Sequence, residues 1–184
     1  PEGLPLYDGT DSDEVNRYLL QNQLEMLTKL QGQDRLSRDM VTLPGMCQFR
    51  TTRRIEGDYV LQESDAYRHF DDSIAAICDF DRRDYLFEVP RRALVRSGWD
   101  NLVTAGRSAA GEGYAWDVLR VIPPAIVTGQ AAGLLCCQAL DESRAVYSTD
   151  IRALQAELAR QNVLLHFDDA DVPAQSAQAH EHND

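Results

Sequence analysis

The sequence predicts a mixed α/β architecture, or α+β for the chain taken as a fragment, and three observations predict it. Apolar residues recur at helical spacing over residues 13–30, 123–140 and 149–161, β-prone runs lie between the first two of these, and residues 101–133 read as strand, glycine-rich loop and helix. The chain has 184 residues, of which 43% are hydrophobic, 26% charged and 8% aromatic, the profile of an ordinary globular protein rather than a disordered one. A chain of this length buries about 70% of its unfolded surface, which suits one domain or a piece of a larger one.

The first element is a helix over residues 13–30. Asp11 followed by Glu14 has the form of a capping box, and Val15, Tyr18, Leu19, Leu24, Leu27 and Leu30 form an amphipathic series. Leu43-Pro44-Gly45 signals a turn. Residues 49–55 and 59–61, separated by Gly57-Asp58, read as two strands joined by a short turn. Residues 64–78 fit a short helix or a strand equally well. Tyr85, Phe87 and Val89 alternate with Leu86 and Glu88 in a strand that Pro90 ends.

Residues 102–106 form a short apolar run ending in glycine, which reads as a buried strand turning toward a ligand. The loop 106–113 follows, and a helix begins at about Pro123, since proline is tolerated in a first helical turn. Gly129, Ala132 and Gly133 make a small stripe expected to lie tightly on a sheet. Residues 149–161 form another amphipathic helix, and residues 168–184 a loose acidic tail. The expected organisation is thus a first portion at 1–95 with an N-terminal amphipathic helix, a strand-loop-helix at 96–142, a helix and strand at 143–167, and the tail at 168–184.

Charge and composition narrow the partners. With 18 Lys and Arg against 30 Asp and Glu the net charge is −12, so the surface repels phosphate backbones and anionic lipid, and neither nucleic acid nor membrane is expected as a partner. The apolar run 125–140 is broken by Thr128, Gly129, Gln130 and Gln138 and falls short of the about 20 residues a spanning helix needs. The start at Pro1 carries neither a basic nor an apolar leader segment and suggests a natural start lying upstream. Cys47, Cys78, Cys136 and Cys137 show no C-x-x-C spacing, so reduced thiols in a cytoplasm are the simpler expectation.

The chemistry-bearing stretch is NLVTAGRSAAGEGYAWDVLRVIPPAIVTGQAAG, residues 101–133. A helix starting after a glycine loop presents unpaired N–H groups and a positive dipole end, a ready site for an anion or a carbonyl oxygen. Gly106 lets backbone approach a ligand, and Arg107 beside it is a forked donor suited to a pyrophosphate. The plain alternative is a strand-loop-helix with packing glycines.

These motifs resemble the C-terminal flavin-closing segment of FAD-dependent oxidoreductases, whose FAD domain is similar to that of glutathione reductase and fumarate reductase. FRTTRRIEGDYVL (49–61), DDSIAAICDFD (71–81), Glu88-Val89-Pro90 and IRALQAELARQNVLL (151–165) also resemble stretches found in this order in the family. The resemblance covers residues 11–165. It implies a C-terminal portion of a Rossmann-like FAD-binding domain with part of a β-rich substrate or cap domain at 1–95, FAD as cofactor, and hydride transfer at flavin N5 with a small-molecule substrate.

By the same resemblance Gly106, Arg107 and Ser108 contact the pyrophosphate and ribityl chain, while Arg120, Val121, Ile122 and Pro123 lie at the pyrimidine edge of the ring. Asp117 joins the cofactor set. Arg120 is the candidate catalytic residue, orienting a substrate carboxylate or carbonyl, with an ion pair to Asp117 as the alternative. Arg91 and Arg92 follow Pro90 where an aromatic residue is common, and Ser108 stands where a cysteine is common. The strand, G-x-G-x-x-G and helix that hold the ADP half of FAD do not occur in these residues. The chain therefore reads as the C-terminal part of a flavoenzyme, the rival reading being a non-catalytic interaction or scaffold module that keeps this fold without cofactor.

Other candidates have plain readings beside them. His69 is a possible acid-base group or a packing histidine. Arg53-Arg54 and Arg82-Arg83 are possible anion contacts or solvated arginines, adjacent strand residues pointing to opposite faces. His166, His180 and His182 near the acidic run 168–171 are read as part of a solvated tail, with no metal expected. The oligomeric state is not legible.

Overall fold

The computed structural model describes residues 7–34, 36, 38, 40–43, 45–47 and 49–174. They belong to two compact units, Pro1–Arg53 and Arg54–Asp184.

In the first unit α1 spans Ser12–Gln31. Asp11 caps it, its carboxylate accepting from the N–H groups of Asp13 (2.8 Å) and Glu14 (3.2 Å). The reciprocal half of the expected capping box is redirected, because Glu14 accepts from the Asp8 N–H at 2.6 Å rather than from Asp11. Val15, Tyr18 and Leu19 are half-buried, and Tyr18 packs against Tyr7 and Phe49 at 5.1 Å each. Leu24 and Leu27, assigned to the same apolar face by their spacing, are exposed. Of the Leu43-Pro44-Gly45 turn, Pro44 lies outside the described residues.

The second unit is built on an antiparallel pair, β1 (Ser73–Cys78) and β2 (Leu86–Pro90), with Ala75 opposite Val89 and Ile77 opposite Phe87. The strand reading of 85–89 is borne out, and the ambiguity at 64–78 resolves into a 3₁₀ turn at Glu63–Asp65 followed by β1. Three helices follow: α2 (Gly113–Leu119), α3 (Ile122–Asp141) and α4 (Ile151–Arg160). The Gln155 side chain of α4 donates to the carbonyls of Asp71 (2.9 Å) and Ser73 (3.0 Å), tying that helix to the start of β1. Phe87, Ile74, Leu61, Leu119, Leu135 and Leu158 are fully buried and bring the sheet and all three helices into one core.

Pro123 and Pro124 lack the N–H groups that would continue the α2 ladder to the carbonyls of Leu119 and Arg120, so the chain breaks there. The axis turns by 78° between α2 and α3. No single described helix is long and apolar enough to cross a membrane.

Two strand expectations fail. Residues 49–55 and 59–61 do not pair as strands, and residues 102–106 form no buried strand. The β-prone residues make single bridges instead, Leu61 parallel to Gly111 and Val95 antiparallel to Val103. Their backbone groups bond at uneven spacing to several segments: Ile55 N–H to the Ser108 carbonyl (2.9 Å), Asp58 N–H to Val95 (3.0 Å) and Leu61 N–H to Ala110 (3.0 Å). Gly57 permits this crossing, since a Cβ there would lie 2.8 Å from Ala110 Cβ and 2.9 Å from the Arg92 carbonyl oxygen.

Candidate functional site

The loop after Val103 is held against α3 by a buried contact. Gly106 adopts φ of 58°, the left-handed region that favours glycine. Its N–H donates to Thr128 Oγ1 at 2.9 Å, and that hydroxyl donates in turn to the Pro124 carbonyl at 2.7 Å. A Cβ on Gly106 would lie 3.1 Å from Ala125 Cβ, so loop and helix approach as closely as backbone allows.

Arg107 and Ser108 follow in a 3₁₀ turn with exposed side chains and engaged carbonyls. The Trp116 indole N–H donates to the Arg107 carbonyl at 2.8 Å, and the Ile55 N–H to that of Ser108. The backbone is thereby fixed, while the Arg107 guanidinium has no hydrogen bond or ion pair among the described residues.

Helix α3 begins beside this loop with Val121 as its N-cap. Two of its first three positions, Pro123 and Pro124, carry no N–H, so the array of donors expected there reduces to the Val121 and Ile122 N–H groups. Neither is spent on another described residue. Ile122 is exposed, and a cleft of about 360 Å³ lined by Val121, Pro123, Pro124, Cys78, Phe80 and Arg83 opens beside the helix start. Asp117 and Arg120, also assigned to the site, meet as an ion pair with Nε at 2.7 Å from Oδ1.

The tight glycine stripe is not found. Gly129 and Gly133 are exposed, and a Cβ on either would meet nothing within 4 Å. The face of α3 that packs inward carries Thr128, Ala131, Ala132 and Leu135 instead. Gly129 and Gly133 are rotated from these residues toward solvent, on the side that bears Ile122 and Ile126.

These residues suit a flavin edge: two N–H donors without a partner among the described residues at the positive end of a 20-residue helix, exposed apolar side chains beside them, and a guanidinium on the adjoining loop that is likewise unpaired among the described residues. The tyrosines nearby serve the scaffold. The Tyr114 hydroxyl donates to Asp79 at 2.7 Å, and that bond, reinforced by burial, pushes the phenol up to about 12. Burial acts to raise the Asp79 carboxyl, but the Tyr114 hydroxyl and the N–H groups of Phe80, Asp81 and Arg82 hold it below its ordinary value.

His69 is not grouped with residues 106–123. Its Nδ1 lies 2.5 Å from Glu88 Oε1 and its Nε2 2.9 Å from Asp169 Oδ1. The Asp169 bond holds the imidazole protonated to higher pH than usual, against partial desolvation and with help from Glu88. His166, though its side chain is exposed, joins the same carboxylate through Nδ1, so residue 166 is tied to β2 rather than free in a solvated tail. His180 and His182 lie outside the described residues. Arg82 covers the Tyr85 ring at 4.1 Å, and Arg92 makes a bidentate pair with Asp72 at 3.0 Å for both bonds. Arg91 donates to the Thr149 carbonyl at 2.9 Å.

Sequence reasoning read Glu88 only as one of the alternating residues of the strand ended by Pro90 and gave it no role. Its signal was a carboxylate inside the apolar run 86–89, a residue type that is almost never fully buried without partners.

A family model described as FAD dependent oxidoreductase matches residues 7–158. No curated protein and no solved structure gives a significant match.

Proposed function

The chain belongs to the FAD-dependent oxidoreductase family, whose cofactor is FAD, and from that premise we propose that Gly106, Arg107, Ser108, Asp117, Arg120, Val121, Ile122 and Pro123 form the flavin-closing edge of such an enzyme. The observation that carries the reading is the buried bond from Gly106 to Thr128, which sets the Arg107 loop and the start of α3 side by side.

When bound, FAD supplies the ring that exchanges a hydride with a small-molecule substrate. This chain's residues bind and orient. Arg107 neutralises phosphate charge as a forked donor, and the Val121 and Ile122 N–H groups, at the positive end of α3, donate to a ring carbonyl oxygen. Asp117 holds Arg120 through Nε, and the Nη groups would be available to a substrate carboxylate or carbonyl. The ADP half of FAD is held outside these residues, since no G-x-G-x-x-G occurs among them, and the chain contributes the C-terminal portion of a Rossmann-like domain together with part of the substrate domain.

The test is to purify the complete gene product and record its visible absorbance. The reading expects flavin bands with close to one FAD per chain, whereas the 184-residue chain alone takes up FAD weakly. A complete product that neither carries nor takes up FAD is instead a non-catalytic module built on the same fold.

A further inference from the structure

Two histidines far apart in sequence converge on one buried carboxylate. Glu88 is fully buried on β2. Its Oε2 accepts the Phe70 N–H at 2.7 Å, while its Oε1 faces His69 Nδ1 at 2.5 Å and His166 Nδ1 at 3.0 Å. The three facing atoms all lie within 4.8 Å of one another. His69 Nε2 meets Asp169 Oδ1 at 2.9 Å, and its ring stacks on Phe167 with centroids 4.3 Å apart.

Both nitrogens of His69 therefore face carboxylate oxygens. A neutral imidazole carries one N–H, so it satisfies one of these contacts and turns a lone pair toward the other oxygen. That second contact is completed by a further proton, giving the imidazolium, or by a metal ion that displaces this proton from Nδ1. With N and O ligands about 2.0–2.2 Å from Zn²⁺, tetrahedral geometry places ligand atoms roughly 3.3 Å apart. The observed separations are close enough for a metal to enter with small side-chain shifts.

We propose that His69 Nδ1, Glu88 Oε1 and His166 Nδ1 bind a divalent transition metal of the zinc class. Two imidazoles and a carboxylate are borderline donors suited to Zn²⁺ rather than to Ca²⁺ or Mg²⁺. Asp169 acts on His69 Nε2 as the outer carboxylate that fixes the ring of a metal-bound histidine. His69 and His166 also line an open cavity of about 530 Å³ together with Asp168, Asp169 and Asp171, which concentrates cations and would admit water to a fourth position. The ion clips the segment around His166 onto the sheet, where Ala76 N–H already donates to the Leu164 carbonyl at 2.7 Å and the Ser73 hydroxyl to that of Leu165 at 2.6 Å.

The experiment is a Co²⁺ titration of the purified protein followed by its d–d absorption, with Zn²⁺ as competitor and no flavin needed. The expected result is one equivalent of Co²⁺ bound and displaced by Zn²⁺, without the thiolate charge-transfer band that the free cysteines would produce. His69→Ala and His166→Ala, checked for folding by circular dichroism, each weaken binding at least tenfold. If both fail to fold, Asp169→Asn, which changes an exposed residue outside the ligand set, is expected to weaken binding about tenfold. Overturning results are no Co²⁺ uptake at tens of micromolar, a thiolate band, or folded variants that bind as the parent does.

Discussion

Gly106 and Thr128 meet through a buried hydrogen bond, the glycine N–H donating to the threonine hydroxyl at 2.9 Å with Thr128 fully shielded from solvent. The same hydroxyl donates to the Pro124 carbonyl, so one side chain satisfies a loop donor and a helix acceptor together. Thr128→Val keeps the shape and orphans the Gly106 N–H, which costs about 1–3 kcal/mol. Denaturant unfolding is expected to show that loss, with Thr128→Ser recovering most of it. A Thr128→Val protein as stable as the parent would mean that the bond does not hold the loop.

Gly133 gives the opposite expectation. Its missing Cβ points into open space, so Gly133→Leu in this chain meets no neighbour and gains helix propensity of up to about 1 kcal/mol. The thermal midpoint is expected to stay or rise. A marked fall would mean that this face of α3 is covered in the folded protein.

Tyr59 and Tyr114 each contribute stability that depends on alkaline pH. Burial, reinforced by the bond from its hydroxyl to Asp65, pushes Tyr59 up to about 12, and the bond to Asp79 does the same for Tyr114. Both pKa values are raised above the unfolded value of about 10, so the neutral phenol is the form that folding favours. Their contribution is complete below pH 10 and is lost as pH rises through about 12. Tyrosinate absorbance is expected to show Tyr59 and Tyr114 titrating late among the 7 tyrosines, with Tyr85 also raised by burial. Asp79→Asn lowers Tyr114 most of the way, whereas Asp65→Asn lowers Tyr59 only in part because its burial remains. Titration of all of them near 10 would refute the assignment.

The elements that local chemistry decides were legible. Asp11 caps α1 and Pro90 closes β2 as their positions suggest, and α4 forms within the amphipathic stretch 149–161, where the structure adds Asp150 as its cap. The double proline at 123–124 marks the start of α3 correctly but hides α2, because the seven residues of that helix are too few for a periodic signal. Residues 49–61 and 102–106 have strand composition, yet their backbone partners are scattered among Ser108, Val95, Ala110 and Leu94, and no local pattern encodes such pairing.

Site residues divide the same way. Gly106 and Arg107 stood out through their loop, and the ion pair of Asp117 with Arg120 follows from i,i+3 spacing. The cluster at Glu88 was hidden because 78 residues separate it from His166, and because residues 164–167 cover a strand face that alternation alone leaves open.

The proposed flavin contact rests most directly on Arg107. Its guanidinium is exposed on a backbone anchored by Gly106 and Trp116, so Arg107→Ala removes a charge without disturbing the fold. A charge-assisted bond to phosphate is worth about 1.5–3 kcal/mol, roughly 10- to 150-fold in affinity. The decisive measurement is the flavin-to-protein absorbance ratio of the complete gene product after dialysis, parent against Arg107→Ala, at equal thermal stability. A ratio near one is expected for the parent, with a substantial loss of FAD from the variant; retention of FAD equal to the parent would contradict the phosphate contact of Arg107.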